Sequence, residues 1–216
     1  MAANLKLTGD TITIERPATR YQLEEFARLP FQVYAARDAW WPPDVQNEID
    51  LLSRRSMLST HLEVAPFCAR RAGRIVARVS AVINRRYNEH WNERLGQLIH
   101  FEALDGEEVA VAAMLDEAIQ SLRERGMGAV RSGFAAFLDY PYAIDNYDSL
   151  PSFLLRGNPP SYHCYFKGAG FVTEKAQVDY TAPLTPEIFP RYERMTRAAT
   201  AAGVTIQSWR EYGYLA

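Results

Sequence analysis

The chain has 216 residues, with 24 basic and 26 acidic side chains and a formal net charge of −2 at neutral pH. Apolar residues make up 48% of it and aromatic residues 12%, which is typical of a globular protein. The balanced charge argues against nucleic-acid binding, for which a basic face is expected. No apolar run approaches the roughly 18 residues of a membrane span. We therefore expect one large domain, or one domain with an appendage, and neither a nucleic acid nor a membrane as partner.

The first ten residues, MAANLKLTGD, lack the basic start and apolar stretch of a secretory signal peptide. We therefore expect a cytoplasmic protein, in which Cys68 and Cys164 are free thiols. Four scattered histidines and these two cysteines show no metal-ligand spacing. No metal site is predicted.

Alternating and periodic apolar residues predict the first half of the fold. In chain order we expect a strand, two helices and three strands, at residues 11–15, 19–29, 44–57, 61–71, 73–84 and about 96–103. The sequence RRAGR has the length and the glycine of a hairpin turn between the second and third strands. The polar stretch between the last two strands predicts a loop.

The helix that follows the sequence LDG is the clearest element. Its apolar face, at helical spacing, consists of Val111, Leu115, Ala118 and Leu122. Asp105 and Glu108 form a D-x-x-E pair, a variant of the capping box. Gly126 suits the position just after the helix.

Shorter elements are expected in the second half. They are a strand within 127–137, an irregular stretch over 137–160, a short helix within 161–171, a strand over 171–182, a helix over 186–202 and a final strand over 203–212. The strand after the long helix should join the sheet parallel to its neighbour, through a right-handed crossover. A mixed sheet covered by helices is the expected class.

This order of elements resembles the GCN5-related N-acetyltransferase (GNAT) fold. The sequences LPFQVYAARDAWWPP, ARRAGRIVARVSAVIN, LRERGMGAV and YFKGAGF are similar to a poorly characterised bacterial branch of that superfamily. The resemblance implies an α/β domain over residues 1–183, with a mixed, splayed β-sheet covered by helices on both faces. The helix and strand of residues 184–216 are then either the start of a second half or a strand that pairs with its own sheet or, in a homodimer, with a second copy.

The resemblance also implies where acetyl-CoA would bind. Its pantetheine arm would pair with the fourth strand where the fifth separates from it, and its pyrophosphate would bind N–H groups that open the next helix. The matching positions here are Phe101, Ala103, Leu104, Asp105, Gly106, Glu107 and Glu108. This turn has one glycine and three carboxylates where the superfamily has Q/R-x-x-G-x-G/A. Two interpretations stay open, a well-capped structural helix and a divergent loop that still binds the cofactor.

The superfamily's chemistry implies a base for the acceptor amine and an acid for the leaving thiolate. Glu102 is the candidate base, since it lies on the strand expected to line the cleft. The usual acid is a tyrosine four residues before the glycine of a Y-x-x-x-G-F sequence, and Phe166 stands there in this chain. Tyr165, one residue away, and Tyr162, one turn away, are the alternatives, and both are equally compatible with aromatic packing.

The irregular stretch over 137–160 is long enough for a binding loop or lid. Its aromatic and acidic side chains predict a site for a small amine, lined by Tyr140, Tyr142, Asp145 and Tyr147. Trp40 and Trp41 either belong to the same wall or anchor the first helices. A well-packed surface loop is the other interpretation of this stretch.

The resemblance to this superfamily implies an acyl-CoA-dependent N-acyltransferase, with acetyl-CoA as donor and a small amine as acceptor. The alternative is a non-catalytic module of the same fold, which binds a small ligand or mediates dimerisation.

Overall fold

The computed structural model describes residues 11–37, 40–135, 138–139, 141–151, 157–178, 180, 182–183 and 185–205. The chain divides into two compact units, Met1–Gln177 and Val178–Ala216. None of the helices described in either unit is long and apolar enough to cross a membrane.

The first unit contains all the described strands and most of the helices. Its strands are β1 (Ile12–Glu15), β2 (Leu62–Arg71), β3 (Arg74–Asn84), β4 (Leu95–Ala103), β5 (Ala129–Ser132), β6 (Phe134–Ala135) and β7 (Leu138–Asp139). Its helices are α1 (Arg20–Val33), α2 (Val45–Leu52), α3 (Arg85–Trp91), α4 (Glu108–Glu124) and α5 (Ser161–Gly168), with a 3₁₀ turn at Met57–Thr60.

The main sheet has five strands in the order β1-β2-β3-β4-β5. The first four are antiparallel to their neighbours, whereas β5 runs parallel to β4 after the α4 crossover. The short strands β6 and β7 pair only with each other. The mixed, open sheet predicted from the sequence is therefore confirmed.

Helices cover both faces of this sheet, as predicted. On one face α4 and α5 pack on apolar side chains of the central strands, among them Phe67, Val79, Leu98 and Phe101. On the other face α1 and α2 form a separate cluster with Cys68 and Ile75. The side chains that alternate along β3 and β4 consequently reach two different layers of the protein.

Helix α1 brings Tyr34 to the second of these faces. The helix begins at a capping box, in which Thr19 accepts a hydrogen bond from the Gln22 N–H and the Gln22 side chain accepts one from the Thr19 N–H. Its buried side includes Phe26 and Leu29, and Tyr34 follows as the buried C-terminal cap residue. Because one side of α1 is buried against the sheet, Tyr34, which directly follows the helix, is held at the same face.

Two predicted elements differ from the structure. The polar stretch before β4 forms helix α3, capped by the Asn84 side chain, which accepts a hydrogen bond from the Tyr87 N–H. No residue of α3 is buried, so it has no apolar periodicity that could predict it. The strand predicted over 171–182 is absent from residues 171–178, which the structure describes as irregular.

The second unit contains a 3₁₀ turn at Pro186–Ile188 and helix α6 (Phe189–Ala201), close to the helix predicted over 186–202. None of the residues of α6 is buried. Most of the final predicted strand, residues 206–212, lies outside the described part of the chain.

Candidate functional site

The neighbouring strands β4 and β5 pair over only part of their length. Their parallel register begins at Leu95–Ala129 and ends at Leu98–Ser132. Beyond that point the chain turns into β6, which pairs with β7 instead. Within the described residues, positions 99–103 of β4 therefore have no strand partner on the β5 side, and the sheet is splayed there.

A β-bulge between β3 and β4 lies next to the point where β5 separates from β4. On β3, Arg78 is opposite Glu102 and Ser80 is opposite Ile99, so two steps along β3 match three along β4. His100 adopts the left-handed conformation, with φ of 56°, which is uncommon for a residue other than glycine. Because Arg78 and Ser80 share one face of β3, Glu102 and Ile99 share that face of β4.

The Glu102 carboxylate is buried on this face, with 2% of the residue exposed. Its Oε2 accepts hydrogen bonds from the hydroxyl of Tyr34 at 2.9 Å and from the hydroxyl of Tyr162 at 2.7 Å. The Tyr34 hydroxyl also lies 3.0 Å from the carbonyl oxygen of Gly157. One carboxylate thus joins the end of α1, the open edge of β4 and helix α5.

Tyr162 reaches the edge of β4 that β5 leaves open. The N–H of Leu104 donates to Val76 on β3, so the N–H of Ala103 points away from β3. That N–H donates to the Tyr162 hydroxyl at 2.8 Å. Burial, followed by the negative charge of Glu102, holds the pKa of Tyr162 well above its ordinary value. Tyr162 therefore keeps its proton and donates it in the hydrogen bond to Glu102.

A small pocket opens beside Glu102 on the α1 face. Its lining consists of Pro30, Tyr34, Trp40, Trp41, Pro43, Glu102 and Gly157. Trp40 stacks on Tyr34, with ring centroids 4.9 Å apart and an interplanar angle of 16°, and Phe31 packs edge-on against it. The Trp41 indole N–H donates to the Pro151 carbonyl at 3.1 Å. Both tryptophans thus line the pocket, and Trp40 also packs on Phe31 and Tyr34 at the end of α1, so the structure does not decide between the two interpretations.

The turn between β4 and α4 differs from the predicted capping box. Helix α4 begins at Glu108, and its N-cap residue, Glu107, makes no side-chain capping hydrogen bond. Asp105 instead accepts from the Ser161 hydroxyl at 2.7 Å. The Glu107 carboxylate forms a two-pronged ion pair with Arg71 at 2.8 Å. The capping box predicted for Asp105 and Glu108 was wrong, because the N-cap residue is Glu107, two residues after Asp105, and the Asp105 carboxylate is held by Ser161 of α5.

An aromatic cluster lies on the opposite face, at the end of the β4–β5 pairing. The ring of Phe166 is 4.6 Å from that of Phe101 and 4.8 Å from that of Tyr142. The Tyr142 hydroxyl lies 3.0 Å from the Ser132 hydroxyl on β5. The hydroxyl of Tyr165 donates to the carbonyl oxygen of Leu104 at 3.1 Å. Burial raises the pKa of Tyr165 as well.

Of the residues predicted to bind the acceptor, the three that the structure describes do not line the pocket. Tyr142 belongs to the aromatic cluster, Asp145 is exposed, and Tyr147 contributes its backbone carbonyl to a hydrogen bond from Arg37. Tyr140 lies outside the described residues. The buried Asn158 amide fixes this loop through both backbone groups of Ala143.

Sequence reasoning missed Tyr34, which is 68 residues from its partner Glu102. Its position after a helical stripe predicts a buried ring but no partner for its hydroxyl. Within the residues that the structure describes, no three potential metal ligands lie close enough together to hold an ion.

Comparison with known proteins gives relatives at low identity. No family model matches the chain. Protein YghO of Escherichia coli (strain K12) is 23% identical over 151 residues, which is 69% of this chain but only 38% of the relative's length. Among solved structures, the aminoglycoside acetyltransferase meta-AAC0020 from an uncultured soil metagenomic sample, in complex with sisomicin, is 14% identical, with a TM-score of 0.50 over 81% of this chain and 97% of the other. Aminoglycoside 6'-N-acetyltransferase AAC(6')-IG from Acinetobacter haemolyticus is 15% identical, with a TM-score of 0.49 over 80% and 99% of the two chains.

Proposed function

Because this chain has the GNAT fold, we propose that it is an acyl-CoA-dependent N-acyltransferase, with acetyl-CoA as donor and a small amine as acceptor. One observation carries the proposal. A few residues of β4 continue past the end of the pairing with β5 and, from the same place, present the buried carboxylate of Glu102 to an aromatic pocket. A donor on the edge and an acceptor in the pocket would meet at Glu102.

The residues around the edge fit an acyl-CoA. The backbone of residues 99–103 can pair with the amides of an extended pantetheine arm, as a further strand would. The start of α4 carries no side-chain cap, so its N–H groups and its dipole can attract a pyrophosphate. Arg71 offsets the charge of Glu107 at that point. The bound thioester would supply the activated acyl group.

Glu102 is the proposed base. It takes the proton that the amine nitrogen loses as the N–C bond forms and the C–S bond breaks. Tyr34 and Tyr162 fix the carboxylate through their hydroxyls. Because Tyr162 lies between Glu102 and the edge of β4, it can give its proton to the leaving sulfur and regain one from Glu102. Tyr165, whose hydroxyl is committed to the Leu104 carbonyl, is the less suitable acid.

Acetylation of a panel of small amines, followed by mass spectrometry, tests this proposal. We expect Glu102→Gln to lower turnover by about 10²- to 10⁴-fold and to leave acetyl-CoA binding, measured by calorimetry, unchanged. Glu124→Gln, on the exposed far end of α4, is the matched control. A wild-type chain that does not bind acetyl-CoA would contradict the proposal.

A non-catalytic GNAT-fold module is the second candidate. The observation that favours it is the Tyr162 hydroxyl, which takes the Ala103 N–H that a pantetheine arm would need. Phe166 also stands where the superfamily has its acid. Amine binding without acetyl-CoA binding would support this candidate, whereas acetylated product would exclude it.

A further inference from the structure

Three hydroxyls of helix α5 contact residues 103–105, where β4 ends and the turn to α4 begins. They belong to Ser161, Tyr162 and Tyr165, and their partners are the Asp105 carboxylate, the Ala103 N–H and the Leu104 carbonyl, in that order. The distances are 2.7, 2.8 and 3.1 Å. Helix α5 thus lies along the same residues to which the proposed function assigns the cofactor.

The contact at Ala103 competes with a bound pantetheine arm. The Ala103 N–H is a backbone donor that points away from β3, and the Tyr162 hydroxyl takes it. An arm that adds to β4 as a further strand would place one of its carbonyl oxygens on this N–H. A backbone N–H has one hydrogen, and two acceptors cannot both lie along its direction at full strength. Tyr162 and the arm therefore exclude each other at this position.

Helix α5 has little stability of its own. It has eight residues, fewer than the roughly 12–15 that an isolated helix needs in water. Its N-terminus has no side-chain capping hydrogen bond. Three buried aromatic side chains, Tyr162, Tyr165 and Phe166, and the hydroxyl contacts hold it against the rest of the unit. A segment of this kind can open locally while the rest of the chain stays folded.

From these observations we propose that α5 is an autoinhibitory clamp, and that acyl-CoA binds only after α5 has withdrawn its hydroxyls from residues 103–105. The proposal rests on the proposed function, because it describes the regulation of that same site. The affinity for acyl-CoA is then reduced by the fraction of molecules in which the clamp is open. A substitution that removes a clamp contact raises this fraction, so it should tighten acyl-CoA binding although it adds no contact to the ligand.

Ser161→Ala tests the clamp with little disturbance of the core, because Ser161 is only partly buried. Acetyl-CoA, titrated by calorimetry, should bind about threefold more tightly. In the ligand-free chain, NMR should show the Ala103 amide exchanging with deuterium faster by about the same factor, because both quantities scale with the open fraction. Tyr162→Phe, which removes the contact at Ala103 itself, should raise both by about tenfold. Ser149→Ala, whose exposed hydroxyl bonds within its own loop, is the matched control and should change neither.

The two measurements separate the clamp from the transferase function. Acetyl-CoA binding that is unchanged or weaker in Ser161→Ala, while the Ala103 amide exchanges faster, would overturn the clamp and leave the cofactor site standing. An Ala103 amide that exchanges no faster in either variant would also overturn it. Absence of acetyl-CoA binding in the wild type and in both variants would contradict the clamp and the proposed function together. The comparison with Ser161→Ala holds even where Tyr162→Phe fails to fold.

Discussion

Tyr162 accepts a hydrogen bond from the backbone N–H of Ala103 at 2.8 Å, and so attaches helix α5 to the open edge of β4. An edge that lacks a neighbouring strand has backbone groups in need of partners. The same hydroxyl donates to Glu102. One side chain therefore satisfies an orphan N–H and orients a buried carboxylate.

Replacement of Tyr162 by Phe should be costly. It leaves the Ala103 N–H without its partner and removes a donor from Glu102, and we expect a loss of about 1–3 kcal/mol in the free energy of unfolding. Tyr165→Phe is the control, because its hydroxyl is less buried and donates to the Leu104 carbonyl, and it should cost about 0.5–1.5 kcal/mol. Urea denaturation measures both. Equal losses would show that the Tyr162 hydroxyl does not have this double role.

The buried ion pair between Arg78 and Glu48 gives a second prediction. Arg78 is fully buried and lies 2.6 Å from Glu48, while it also donates to the Phe26 carbonyl at 3.0 Å. Glu48→Ala should cost about 3–5 kcal/mol, because it strands a buried charge. Adding Arg78→Met to that variant should recover part of the loss. A double variant less stable than Glu48→Ala alone would contradict this explanation. Chemical denaturation of the wild type, Glu48→Ala, Arg78→Met and the double variant completes the cycle.

The two cysteines should differ in reactivity. Cys68 is buried in β2, and burial raises its pKa to about 12, whereas Cys164 is exposed. We expect a thiol reagent such as Ellman's reagent to modify Cys164 alone in the folded chain at pH 8, and both after unfolding. Cys164→Ser should abolish the reaction of the folded chain. Rapid modification of both thiols without denaturant would show that Cys68 is accessible.

The same shift predicts a loss of stability at high pH. Folding holds the Cys68 proton more tightly than the unfolded chain does, so its contribution is complete below the ordinary thiol pKa of about 9. It declines as the pH rises from there towards 12. Cys68→Ala should flatten the pH dependence of unfolding in that range, while Cys164→Ser should not.

The carboxylate of Glu107 should weaken cofactor binding. It lies at the start of α4, where a pyrophosphate would bind, and Arg71 is paired to it. Glu107→Gln removes a like charge and frees the arginine, so we expect acetyl-CoA to bind about three- to tenfold more tightly. The gain should shrink as the salt concentration rises. Glu124→Gln should have no effect, and an equally silent Glu107→Gln would place the pyrophosphate elsewhere.

The sequence predicted those elements whose buried faces give a periodic pattern. Helix α4 buries Val111, Leu115 and Leu122, and its pattern predicted it directly. The strand predicted over 171–182 was wrong because its apolar positions meet no partner, with Val172 88% and Val178 70% exposed. An alternating pattern without a surface to cover it does not form a strand.

The candidate site could be predicted only in part. Neighbouring side chains of a strand point to opposite faces, and the structure places Phe101 with α4 and Glu102 beside α1. The contacts with Tyr34 and the pocket wall depend on a helix far away in sequence. No local sequence feature of α1 or of β4 specifies the contact between Tyr34 and Glu102.

The additional residue at His100 decides what forms the floor of the pocket. If these residues alternated without a bulge, Ile99 and Phe101 would lie on the same face of β4. Glu102 would then point into the apolar layer beneath α4. The bulge places Glu102, and not Phe101, on the pocket side of β4, so the floor of the pocket is acidic and not aromatic. Deletion of His100 would make two steps along β4 match two along β3, so Glu102 would keep its face. Insertion of a residue between Ile99 and Glu102, by contrast, would turn the carboxylate away from the pocket while the side chains of the wall stayed in place.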